Sequence, residues 1–241
     1  AQAKEQPTYP VSSAQKRMYV LQHLDNGGVG YNMPAVLELE GKLDREKLAA
    51  VFKELISRHE PLRTSFVPGE DAEPVQRIHS EVPFTLSEEA SAAGFVRPFD
   101  LSQAPLFRAG LVKLANEKHL LLVDMHHIIS DGVSVQLLIR EFTERYANRA
   151  LKPLRIQYKD YAVWQQEFQK GDTYKKQETY WLRQFSGELP VLELPTDKRR
   201  PAERNFSGGK VLFQMNEEIT SRLKQLARKN GSTLYMTLLA L

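Results

Sequence analysis

Leu120-Leu121-Leu122-Val123-Asp124-Met125-His126-His127-Ile128-Ile129-Ser130-Asp131-Gly132 is the stretch on which the reading of this chain turns. An apolar run ends in two adjacent histidines, an acid follows, and a glycine precedes the amphipathic segment Val135 to Tyr146. The pattern predicts a strand, a turn and a helix. Side chains alternate along a strand, so His126 and His127 point to opposite faces. His126 is expected inside the fold as a hydrogen-bonded interior histidine, and His127 in a cleft. An imidazole with an ordinary pKa of about 6.5 can take a proton from a bound substrate near neutral pH. It can equally hold that substrate in place, and the sequence leaves both roles open.

The residues after the histidines are read in the same way. Asp131 is expected to fix the shape of the loop rather than to act as a second catalyst. Gly132 permits close approach of substrate or backbone at the helix start. Ser134 is either the helix N-cap or an oxyanion donor, the cap being the preferred reading. A metal bound by His127 and Asp131 would need a helix through the motif and a third ligand, so no metal is expected.

Outward from this centre, Leu106 to Leu114 and His119 to His127 form a predicted hairpin around Asn116-Glu117-Lys118. Val36 to Glu40 alternates like a strand. Asp44 starts a helix with the apolar face Leu48, Val51, Phe52, Leu55 and Ile56, and Pro61 ends it near His59. Leu62 to Val67 and Pro74 to His79 read as strands. A helix runs to Leu24, and the Gly27-Gly28-Val29-Gly30 loop lacks the frame of a phosphate-binding turn. Further on, Ile156 to Lys170 and Glu178 to Phe185 are predicted helices, Leu192 to Gly209 is irregular, and Lys210 to Met215 is a strand. Helices at Glu217 to Lys229 and after a cap at Ser232 complete the reading. A lobe boundary is placed between residues 172 and 173.

Composition narrows the class. The 241 residues are 41% hydrophobic and 26% charged with net charge +3, which suggests neither nucleic acid nor an anionic membrane as partner. No cysteine is present, which excludes disulfides, thiolate nucleophiles and Cys-type zinc sites and suits the cytoplasm. No apolar run approaches the roughly 20 residues of a membrane span. The absent initiator Met and the uncapped apolar run Leu238 to Leu241 lead us to expect a fragment of a longer protein.

Four segments, in order, carry a family resemblance. They are Ser13-Ala14-Gln15-Lys16-Arg17-Met18-Tyr19, Arg58-His59-Glu60-Pro61-Leu62-Arg63-Thr64-Ser65-Phe66, Met125 to Ser134, and Tyr158-Lys159-Asp160-Tyr161-Ala162-Val163-Trp164. With Leu194-Pro195-Thr196-Asp197 and Arg200-Pro201 they resemble the motifs of nonribosomal peptide synthetase condensation domains. That family belongs to the chloramphenicol-acetyltransferase-like acyltransferases.

The resemblance implies an α/β fold, a mixed sheet flanked by helices, in two lobes that form a V around a tunnel. Residues 1–172 correspond to the N-terminal lobe, and 173–241 to the crossover and an incomplete second lobe. It implies peptide-bond formation between carrier-bound thioesters in antibiotic biosynthesis. His127 is the family's active-site histidine, Gly132 lines the channel, and Asp131 pairs with Arg63 or Arg58. Ser134 and Trp164 are channel candidates, although Trp164 and Tyr161 are expected mainly to pack.

The domain itself binds no cofactor in this reading, since phosphopantetheine-tethered substrates arrive on carrier domains. The implied partners are upstream and downstream carriers, an adjacent adenylation domain and the missing C-terminal lobe. The alternatives are an epimerisation domain, a free-standing acyltransferase or, for the fragment alone, a non-catalytic carrier-binding module.

Overall fold

Two long antiparallel strands, β6 (Phe107–Ala115) and β7 (Lys118–Met125), are the spine that carries the histidines. The computed structural model describes residues 2–24, 28–193, 195–198, 209 and 211–240, and divides into two units, 1–192 and 193–241. In the first unit, β2 (Ala35–Glu40) pairs antiparallel with the other edge of β7. A short strand, β5 (Ser87–Glu89), pairs parallel with β6, giving the order β2-β7-β6-β5. The pairing of β5 depends on Gly110, because a Cβ there would lie 2.7 Å from Ser87 Oγ and 2.9 Å from Phe95 Cε2.

The second sheet has three strands, β1 (Tyr9–Pro10), β4 (Pro74–Ile78) and β3 (Thr64–Pro68), in the order β1-β4-β3. Between β2 and β3 lies α2 (Arg45–Arg58), capped by Asp44, whose carboxylate accepts the Lys47 N–H at 2.9 Å. All five residues of its predicted apolar face are buried. They join Phe66, Leu106, Phe107, Leu121, Met125 and Ile128 in the buried interior. Pro61 ends the helix as expected, but Glu60–Arg63 forms a 3₁₀ turn and β3 begins only at Thr64.

α1 (Ser13–Leu24), α3 (Gly132–Tyr146), α4 (Tyr158–Lys170) and α5 (Asp172–Gln184) complete this unit. α5 starts six residues before the predicted Glu178, because its polar first turns carry no apolar signal.

In the second unit, α6 (Glu217–Lys229) is capped by Asn216 and closed by Gly231 at φ +60°, with Ser232 N donating to Ala227 O at 2.9 Å. Ser232 therefore finishes α6, and Thr233 caps α7 (Leu234–Leu239) in its place. The predicted strand at Lys210 to Met215 does not form over residues 211–215. Val211, Leu212 and Phe213 have the unbroken apolar texture of a buried strand, but among the described residues no strand of this unit pairs with them. Lys210 lies outside the described residues, as do Gly27, Leu194, Arg200 and Pro201 from the segments quoted above. No described helix is long and apolar enough to cross a membrane.

Candidate active site

The backbone of the histidine pair is gripped from both sides. His126 N donates to Leu106 O at 3.0 Å and His127 N donates to Tyr31 O at 2.8 Å. Met33 N donates to Met125 O at 2.7 Å, and Asn32 bridges His126, so Tyr31 to Met33 act as a clamp. The clamp is itself pinned, as Asn32 Nδ2 donates to the fully buried Asp124 at 2.7 Å and to Arg97 O at 3.0 Å. Arg108 approaches the same carboxylate at 3.8 Å while its guanidinium lies over the Phe99 ring. Burial pushes the Asp124 carboxyl above the usual range, against the opposing pull of Asn32 and Arg108.

His126 is the interior histidine. It is 0% exposed, its Nδ1 accepts the Ile128 N–H at 3.0 Å, and its Nε2 lies 3.3 Å from Gln22 Oε1. Because Nδ1 is an acceptor, the ring proton sits on Nε2 and is donated to Gln22. Burial and then the neighbouring His127 lower its pKa to about 4, so this imidazole is neutral.

His127 lines a cleft of about 310 Å³. All four sequence motifs meet there: Ala14, Gln15 and Met18 from the first, Pro61 from the second, His127 to Asp131 and Ser134 from the third and Tyr158 from the fourth. The Nδ1 atom of His127 is buried without a partner among the described residues, so Nε2 is the nitrogen available to a bound molecule. A narrower apolar recess continues past Ile129, Ser130 and Ser134 to Leu137, Leu138 and His59.

Asp131 is the N-cap of α3, in place of Ser134. Its Oδ1 accepts both the Ser134 N–H at 2.7 Å and the Ser134 hydroxyl at 2.6 Å. These two bonds, the hydroxyl first, hold its carboxyl below the usual range. Neither expected arginine reaches it. Arg58 binds Glu141 through Nε at 2.9 Å and Nη2 at 3.2 Å, and Arg63 donates to the carbonyls of Ser57 and His79. A donor three residues away is cheaper to order than a long side chain from another element.

A Cβ on Gly132 would meet no atom within 4 Å, so packing within the chain does not demand glycine there. Trp164 is not on the cleft. It is 54% exposed on α4, stacked on Phe168 at 5.2 Å and beside an exposed Tyr161. The fourth motif instead contributes Tyr158, which sequence reasoning does not single out; its phenol lies 2.9 Å from Ser12 Oγ. Its place as the first residue of α4, directly after the Gln157 cap, is the available signal.

An imidazole in a cleft between sheet end and helix N-terminus, on this mixed α/β frame, defines an acyltransferase fold of the chloramphenicol-acetyltransferase-like class. The condensation domain family model matches residues 5–241, and the chain belongs to that family. It is 79% identical over 239 residues to one of the plipastatin synthase subunits of Bacillus subtilis (strain 168), covering 99% of this chain and 7% of that protein. Surfactin synthase subunit 1 of the same organism is 52% identical, again over 99% of this chain and 7% of the relative.

The chain thus spans less than a tenth of the length of these two relatives. Among solved structures, the X-domain from teicoplanin biosynthesis aligns with TM-score 0.80 and 28% identity over 96% of this chain and 55% of its own. The first condensation domain of the calcium-dependent antibiotic synthetase aligns with TM-score 0.71 at 18% identity, covering 96% of this chain and 59% of that one, and supports the fold alone.

Proposed function

We propose that this chain is the catalytic-histidine portion of a condensation domain that forms peptide bonds in nonribosomal peptide synthesis. The acceptor is an aminoacyl group whose free amine is delivered on a phosphopantetheine arm. The donor is an aminoacyl or peptidyl thioester on a second arm. His127 Nε2 accepts a hydrogen bond from the amine and aligns its lone pair on the thioester carbon. As the N–C bond forms, His127 takes one amine proton; as the C–S bond breaks, that proton passes to the departing thiolate.

The observation that carries this reading is the convergence of four separate sequence motifs on the one cleft that His127 lines. Its partners in this reading are the upstream and downstream carrier domains, an adenylation domain and the remainder of the second lobe. Residues 1–172 would form the first lobe and 173–241 the start of the second, in a cytoplasmic synthetase. The domain contributes positioning and proton transfer, and the carriers bring the pantetheine groups.

The test is a single-turnover condensation assay in the full-length synthetase with both carriers preloaded. His127→Ala should lower dipeptidyl product formation by about a hundredfold. Unchanged turnover would remove His127 from the chemistry.

A further inference from the structure

Ser12 and Gln15 form a reciprocal cap at the start of α1. Ser12 N donates to Gln15 Oε1 at 3.0 Å, and Gln15 N donates to Ser12 Oγ at 3.2 Å. Ser12 is 1% exposed, so its own hydroxyl proton needs a protein acceptor. Among the described residues the one partner in reach is the Tyr158 phenol at 2.9 Å. If Tyr158 donated to Ser12, the buried serine proton would be stranded. The satisfied arrangement has Ser12 donating to Tyr158, which leaves the phenol proton free for another acceptor.

Tyr158 is one of the residues that line the cleft of His127. The other hydroxyl considered for charge stabilisation, that of Ser134, is already donated to Asp131 at 2.6 Å. Burial pushes the Tyr158 phenol above its ordinary range and outweighs the opposite pull of the Ser12 hydrogen bond, so the phenol stays protonated.

We propose that Tyr158 is a catalytic residue whose phenol donates a hydrogen bond to the carbonyl oxygen of the thioester under attack. This rests on the condensation reading above. As the amine nitrogen bonds to the carbonyl carbon, the C=O π electrons move onto oxygen, and the phenol O–H stabilises that charge without giving up its proton. When the C–S bond breaks, the electrons return to the carbonyl and the sulfur takes the proton held by His127. A preorganised donor at a developing oxyanion contributes a large rate effect.

The experiment compares wild type, His127→Ala, Tyr158→Phe and Tyr161→Phe in the full-length synthetase, with preloaded carriers and single-turnover product formation. Tyr158→Phe should lose about a hundredfold in rate, with carrier affinity unchanged. Tyr161, exposed on α4 and outside the cleft, should tolerate phenylalanine. A second measurement places ring-fluorinated tyrosines at position 158. They hardly change shape, so a packing role would leave the rate flat, whereas a donor role makes it follow phenol acidity. Loss with His127→Ala alone, with Tyr158→Phe close to wild type or a rate indifferent to fluorination, overturns this proposal and spares the condensation reading. Absence of dipeptidyl product from the wild-type protein overturns both.

Discussion

Arg58 and Glu141 meet in a two-pronged contact, Nε to Oε2 at 2.9 Å and Nη2 to Oε1 at 3.2 Å. His59 Nε2 adds a third contact to Oε2 at 2.7 Å. The cluster ties the end of α2 to the middle of α3, the helix whose first turn borders the cleft. Burial pushes the Glu141 carboxyl up, but the bonds from Arg58 and His59 outweigh it and hold it below the usual range. Glu141→Ala would leave a guanidinium and an imidazole without their acceptor. We expect a loss of about 3 kcal/mol, the lower end for a buried pair because Arg58 keeps some water. Urea unfolding of the complete condensation domain measures it, and a loss below about 1 kcal/mol would mean the pair behaves like a surface bridge.

His126 makes stability depend on pH. Its folded pKa is about 4 against 6.5 unfolded, so between those values the unfolded chain binds a proton that the folded chain does not. Stability therefore rises with pH through this window and falls as the medium is acidified from about 6.5 towards 4. A difference of that size corresponds to a loss on the order of 3 kcal/mol on going from neutral pH to below the folded pKa. The urea midpoint of the complete domain should drop across this range, and the drop should shrink in His126→Gln. An unchanged pH slope in that variant would assign the effect to other groups.

Gly132 separates folding from function. Since a Cβ there meets nothing within 4 Å, Gly132→Ala should leave the melting temperature unchanged or slightly higher, alanine being the better helix former by up to about 1 kcal/mol. If substrate fills that space, condensation should nevertheless slow about tenfold, an amount equal to roughly 1.4 kcal/mol of barrier. Wild-type turnover in a normally folded Gly132→Ala protein would show that no substrate passes close to this backbone.

Elements with a local signal are legible in the sequence. The β6–β7 hairpin announces itself by apolar runs around a polar turn, and α2 by its cap and its spacing of three and four. β5 has no such signal: Ser87-Glu88-Glu89 is polar, and it pairs because Gly110 lets it approach β6. The cleft is legible in part. His127 is readable from strand alternation, but helical spacing does not say which side of α4 meets the histidine loop, and the family likeness offers Trp164 rather than Tyr158. Family likeness points Asp131 towards an arginine. Both arginines are taken, by Glu141 and by backbone carbonyls, and the nearest donor, Ser134, wins.

The two accounts of Asp131 differ in a measurable way. As a cap it needs a short side-chain oxygen, and asparagine supplies one about as well as aspartate. As an ion-pair partner it needs its charge, which asparagine lacks. Asp131→Asn should thus cost only a few tenths of a kcal/mol, while Asp131→Ala, which also strands the Ser134 N–H and hydroxyl, should cost about 1–2 kcal/mol. The carboxyl titrates below its unfolded value, so this contribution is complete above the unfolded pKa and fades as pH falls through the folded one. The gap between wild type and Asp131→Asn should therefore close in acid. Thermal unfolding of both variants, in the complete domain, decides the matter. If the asparagine variant is as unstable as the alanine one, the charge itself is needed and an arginine must reach Asp131 in the full-length protein.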